Sequence, residues 1–91
     1  MRVEAGVAFF EGDLVLDNAT RLLAEAESAL SEGATVFDLS LASNVDSSAL
    51  SLMLSLRRQV ARMPAGTLVD FRAVPESLTS LAKLYGIADQ L

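Results

Sequence analysis

Short strand-forming runs alternate with longer runs of helical period along this chain, and that alternation constrains the fold more than any other feature. Val3 to Phe10 is apolar and β-prone around Gly6, which reads as one or two short strands turning near Ala5–Gly6. Glu11–Gly12–Asp13 reads as a turn, and Leu14 to Leu16 either extends a strand or leads into helix. With Asp17 or Asn18 as N-cap, Ala19, Leu22, Leu23, Ala26 and Leu30 then recur at helical spacing until Gly33 stops the helix. Thr35 to Leu39 is a β-branched and aromatic run, read as a strand, and Ser40 through Asn44 is a polar loop. Asp46–Ser47–Ser48 opens a second helix whose apolar run, Ala49 to Met63, ends at Pro64–Ala65–Gly66. Thr67 to Phe71 is a further strand. Pro75–Glu76 starts a third helix with Leu78, Leu81, Ala82 and Tyr85 on its apolar side and Gly86 at its end.

The order β(β)αβαβα implies an α/β layer fold, a mixed sheet with a largely parallel centre covered by helices. At 91 residues the expectation is one domain, 1–91, with a real but small core. Only 5% of residues are aromatic while 52% are hydrophobic, so Leu, Val and Ala must fill that core. An apolar excess on so small a domain has two readings: surface kept for a partner, or simply an Ala- and Leu-rich chain.

Charge and composition exclude several functions. The net charge of −5 argues against a general phosphate-backbone binder, so no nucleic acid is expected as partner. With no His and no Cys, imidazole acid–base chemistry, thiolate chemistry and the common zinc sites are absent. No Gly-rich phosphate loop or metal-ligand spacing stands out, so neither a cofactor nor an enzyme activity is expected. Asp38 and Asp46 beside Ser47 are the one conceivable catalytic set, but a strand end and a helix cap account for both carboxylates. No run reaches the roughly 18 apolar residues of a membrane span. Met1 to Phe10 has the wrong pattern for a signal peptide, and a cytoplasmic location without direct membrane insertion is expected.

The second helix is the informative element. At 100° per residue Ser47, Ser51, Ser55, Arg58 and Arg62 fall in one narrow sector, flanked by Ser48 and Gln59. Ala49, Leu50, Leu52, Met53, Leu54, Leu56, Val60 and Met63 span an arc of about 200°, wider than the stripe of little over 100° that a surface helix needs. Its margins, Leu50 and Leu54, are therefore expected to stay exposed. The helix also reverses the sign of the chain, with Arg57, Arg58 and Arg62 and no acid after Asp46. A smooth serine strip ending in arginines suits a docking surface, because small side chains admit another backbone and arginines pair with acids at the rim. A solvated polar face with cations at the helix C-terminus gives the same pattern. One of Asp46, Ser47 and Ser48 must cap the helix. Ser47 is in addition a candidate phosphorylation site, since the helix N-terminus tolerates an anion that would add about −2 charge to the face.

These pieces resemble a known family. Asp38–Leu39–Ser40, a short loop, and Val45–Asp46–Ser47–Ser48–Ala49–Leu50 leading into an apolar helix are similar to the signature of STAS domains, which include bacterial anti-sigma-factor antagonists. Gly12–Asp13–Leu14 resembles that family's Gly-Glu-Leu stretch. Leu81–Ala82–Lys83–Leu84–Tyr85–Gly86 resembles the third helix of its MlaB branch. The likeness covers nearly the whole chain. Ala49 departs from it, standing where the partner-switching members have Gly; Ala lets a partner approach less closely.

What the resemblance implies is an accessory subunit, not an enzyme, that binds the cytoplasmic ATPase (MlaF-like) of a phospholipid-transport ABC system and supports its assembly and activity, peripheral to the inner membrane. The contact face would comprise Asn44, Asp46, Ser47, Ser48, Leu50, Ser51, Leu54, Ser55 and Arg58. The alternative is an anti-sigma-factor antagonist whose partners are a serine kinase and anti-sigma factor and whose switch is phosphorylation of Ser47, the position matching the family's phosphorylated hydroxyl.

Overall fold

A computed structural model describes residues Met1–Leu91. β1 (Arg2–Glu4) and β2 (Val7–Phe9) form an antiparallel hairpin. Its two-residue loop, Ala5–Gly6, has positive φ at both positions (50° and 81°), the twist that a two-residue hairpin favours. β2 pairs in parallel with β4 (Val36–Asp38), and β4 in parallel with β6 (Asp70–Arg72), giving the order β1-β2-β4-β6. α1 (Leu16–Ser31) and α2 (Ser47–Ala61) supply the long connections that parallel neighbours require. α3 (Glu76–Leu84) and a 3₁₀ turn, Ala88–Gln90, complete the chain.

The core is built around Phe37, fully buried in the middle of β4. Ala8, Phe37 and Phe71 lie opposite one another across three strands, and Phe37 sits 6.1 Å from the Phe10 ring and 6.2 Å from the Phe71 ring. Leu22, Ala26, Ala29 and Leu30 of α1, Ala49, Leu52, Met53 and Leu56 of α2, and Leu78 of α3 close over this row as one buried cluster. α1 and α2 pack on each other, and α3 packs on α2.

Four segments depart from the sequence reading. Gly12 and Asp13, expected in a turn, join Leu14 as strand β3, and Ala42–Val45, within and just after the expected loop, is strand β5; the two pair in parallel as a separate ribbon. Little of the ribbon is apolar. Gly12 N–H donates to Leu41 C=O (3.2 Å), Asn44 Nδ2 donates to Asp13 Oδ1 (2.8 Å), and Leu14 is its one fully buried residue. A ladder held by polar groups leaves no hydrophobic pattern to read. α1 starts at Leu16, so Asp17 and Asn18 lie in its first turn and are not the cap. The expected strand Thr67–Phe71 is shifted to Asp70–Arg72, because Thr67 Oγ1 and its N–H both turn back to Pro64 C=O.

Candidate functional site

The N-terminal end of α2 is positioned by one carboxylate. Asp46 follows β5 in extended conformation and caps α2, its Oδ1 accepting from Ser48 N–H at 2.7 Å. Its Oδ2 accepts from Leu16 N–H, the first residue of α1, at 3.2 Å. The same side chain thus meets orphan donors of two helices. This explains why α1 has no local cap: its partner lies 30 residues further along the chain. The hydrogen bond from Ser48 N–H, with that from Leu16 N–H, holds the Asp46 carboxyl below its ordinary 3.8 against the opposing effect of desolvation. Asp46 N–H in turn donates to Leu14 C=O (3.4 Å), tying the cap to the β3–β5 ribbon.

A second carboxylate fixes the approach to this corner. Asp38, buried at the end of β4, accepts from Ser40 N–H (2.7 Å) and from Arg72 Nε (2.6 Å). Burial alone would raise its pKa; the hydrogen bonds from Ser40 and the Arg72 guanidinium outweigh it and hold the carboxyl below 3.8. Each carboxylate therefore has structural partners of its own, and no group of three or more His, Cys, Asp or Glu is placed to hold a metal ion.

Most of the expected face is where the helical wheel puts it. Ser47 and Ser51 are exposed, Ser48, Leu54 and Ser55 are half-buried, and Arg58 is exposed with its Nη2 donating to Ser55 Oγ (3.0 Å). Asn44 is exposed on the ribbon, engaged with Asp13. Leu50 is the correction: it is 3% exposed and offers no contact surface. It projects from α2 close to the side of Arg57. Arg57 bonds Gln90 C=O (2.7 Å) and Val69 C=O and lies 4.9 Å over the Phe71 ring. The wide apolar arc is covered by elements beyond the helix, α3 among them, which the pattern of α2 alone does not reveal.

The structure also adds a wall. α1 and α2 run side by side and parallel, joined at their heads by Asp46 and about three turns further on by Gln59 Nε2 donating to Glu27 Oε2 (2.8 Å). Between these ties lies an open groove of about 230 Å³. Ser48, Ser51, Leu52 and Ser55 form its α2 side, and Leu16, Ala19, Thr20 and Leu23 its α1 side. Leu16 is 74% exposed at the groove's head. Leu16, Thr20, Leu23 and Glu27 share one face at i, i+4, i+7 and i+11, a signal present in the sequence but hidden beneath the stronger core stripe of α1. No helix is long and apolar enough to cross a membrane.

Residues 4–91 match the family profile described as "Mlab, STAS domain". The chain belongs to the MlaB-type STAS family. No curated protein matches it at a significant level. The match runs from the end of β1 onward and takes in all three helices and the capped corner at Asp46. Members of the STAS family are generally non-catalytic, and an MlaB-type STAS domain is suited to an accessory role exercised through protein–protein contact.

Proposed function

We propose that this MlaB-type STAS domain is the non-enzymatic accessory subunit of a phospholipid-transport ABC system, binding its cytoplasmic ATPase and supporting assembly and activity of the complex. The observation that carries this reading is the face of α2: hydroxyls at Ser47, Ser51 and Ser55, then Arg58 and Arg62, on a helix without an acid after its cap. The ion pairs of the fold engage neither Arg58 nor Arg62. Two unpaired cations on a chain of net charge −5 form a local field opposite to the rest of the surface, which favours an acidic rim on a partner. Membrane association then follows from the complex, at the cytoplasmic side of the inner membrane, without insertion of this chain.

The test is capture of tagged protein from its own cells, with mass spectrometry of partners and of Ser47. Wild type is expected to recover an ABC ATPase, and Ser47→Asp to lose it. Equal recovery by Ser47→Asp would remove the face from the interface. Recovery instead of a serine kinase, with phosphate on Ser47, would place the protein in sigma-factor regulation.

A further inference from the structure

The groove between α1 and α2 shares Ser48, Ser51 and Ser55 with the proposed docking face and adds to it a second wall from α1. Its volume of about 230 Å³ is below the range of small-molecule sites, roughly 300–1,000 Å³, and it is open along its length. Its floor is apolar (Leu23, Leu52) and its rims carry hydroxyls (Thr20, Ser51), with exposed Leu16 at one end. That is room for one bulky apolar side chain entering from outside. Toward the C-terminal end of α2 the exposed cations Arg58 and Arg62 follow Ser51 by seven and eleven residues, about 10 and 16 Å along the axis. The α1 side answers with Glu27, but it is already bonded to Gln59 and does not reach these arginines as an ion pair.

Resting on the reading above, we propose that the groove takes an amphipathic helix of the ATPase partner, which inserts one large apolar side chain between Leu16, Leu23 and Leu52 and places a carboxylate about two turns away against Arg58. Charge complementarity selects this occupant: an apolar anchor alone would fit a second copy of this chain, but a two-fold pairing through this face would bring the Arg58 and Arg62 of one copy against those of the other. The partner's recognition helix should carry Leu, Met or Phe with Asp or Glu seven residues away.

Site-specific photo-crosslinking in the native cells tests this. A benzophenone amino acid is placed at Thr20, on the groove rim, at Arg58, and at Glu4 on β1 as the control. The expected result is a cross-link from Thr20 to an apolar residue of an ATPase helix that has an acid seven positions away, and none from Glu4. Ala19→Trp, which fills the groove from the α1 side and leaves the α2 face untouched, should reduce the Thr20 and Arg58 cross-links by on the order of tenfold or more. Thermal melting of that variant reports its folding, and Thr20→Trp on the exposed rim serves if Ala19→Trp melts early. ATPase cross-links from Arg58 that survive these substitutions would overturn the groove while leaving the docking face in place. Cross-links from Thr20 to a helix of that pattern in a protein other than an ATPase would keep the groove and overturn the ATPase as partner. Absence of cross-links from both positions would overturn both.

Discussion

Replacing Asp38 by Asn removes one charge and little volume from the most constrained polar site of the fold. Asp38 is 4% exposed, and both its oxygens are engaged, by Ser40 N–H at 2.7 Å and Arg72 Nε at 2.6 Å. In Asp38→Asn the carboxamide keeps one acceptor for Ser40 N–H but turns an amide donor toward a guanidinium donor. Breaking a fully buried ion pair costs about 3–5 kcal/mol, yet the Arg72 side chain is 53% exposed and regains water, which discounts the loss. One charge-assisted hydrogen bond, about 1.5–3 kcal/mol, is the better measure, and we expect about 2 kcal/mol. For a domain of this size that lowers Tm by about 8–16 °C. The effect is linked to pH. The folded-state pKa of Asp38 lies below 3.8, so its contribution is fully present above the unfolded value and is lost as pH falls through the folded one. Urea unfolding followed by far-UV circular dichroism, at pH 7 and at steps down to pH 3, should show the two proteins separated at neutral pH and converging in acid. A loss below about 0.5 kcal/mol at pH 7, the range of ordinary surface changes, would refute the reasoning, as would a difference that does not change with pH.

Three other outcomes follow from the geometry. Asp46→Ser retains a short N-cap for α2 but cannot span to α1, so amide hydrogen exchange should accelerate at Leu16 and remain close to wild type at Ser48; equal acceleration at both would show that the carboxylate does not bridge the helices. Leu50→Ala should cost about 2–5 kcal/mol in urea unfolding because Leu50 is buried, whereas a cost near zero would restore it to the exposed margin of the helix. Arg57→Ala removes the bonds to Val69 and Gln90 and the contact with the Phe71 ring; exchange should quicken in the C-terminal residues 87–91 before it does in α1, and a uniform increase would mean that Arg57 does not clasp that segment.

The parts of this structure that are legible in the sequence are those specified by neighbours along the chain. The Ala5–Gly6 turn, the strand around Phe37, the amphipathic α2 and its start at Asp46 all depend on residues within a few positions of each other. The parts that are not legible depend on distant groups. Leu16 begins α1 because a carboxylate 30 residues away accepts its N–H, and no local cap marks the place. β3 and β5 exist because each completes the other, through Gly12, Leu41, Asp13 and Asn44, with only Leu14 supplying a fully buried side chain. Leu50 looks marginal on a wheel that shows one helix and omits the elements packed on it, α3 among them. Half of the groove is hidden for a related reason. Leu16, Thr20 and Leu23 become a surface only once α2 lies alongside them.

The shared cap also changes what an anion at Ser47 would do. A helix N-terminus usually welcomes negative charge because its N–H groups are unpaired. Here Ser48 N–H already donates to Asp46, whose carboxyl is held in its ionised form. A phosphate on Ser47, carrying about −1.5 to −2 charge, would arrive next to that carboxylate and compete for the same donors. The exposed hydroxyl of Ser47 makes such a change sterically easy, but the cost falls on the side-chain hydrogen bonds that tie the heads of α1 and α2 together. Charge added at Ser47 therefore acts on more than the local face: by weakening the Asp46 bridge it loosens the register of the two helices that wall the groove.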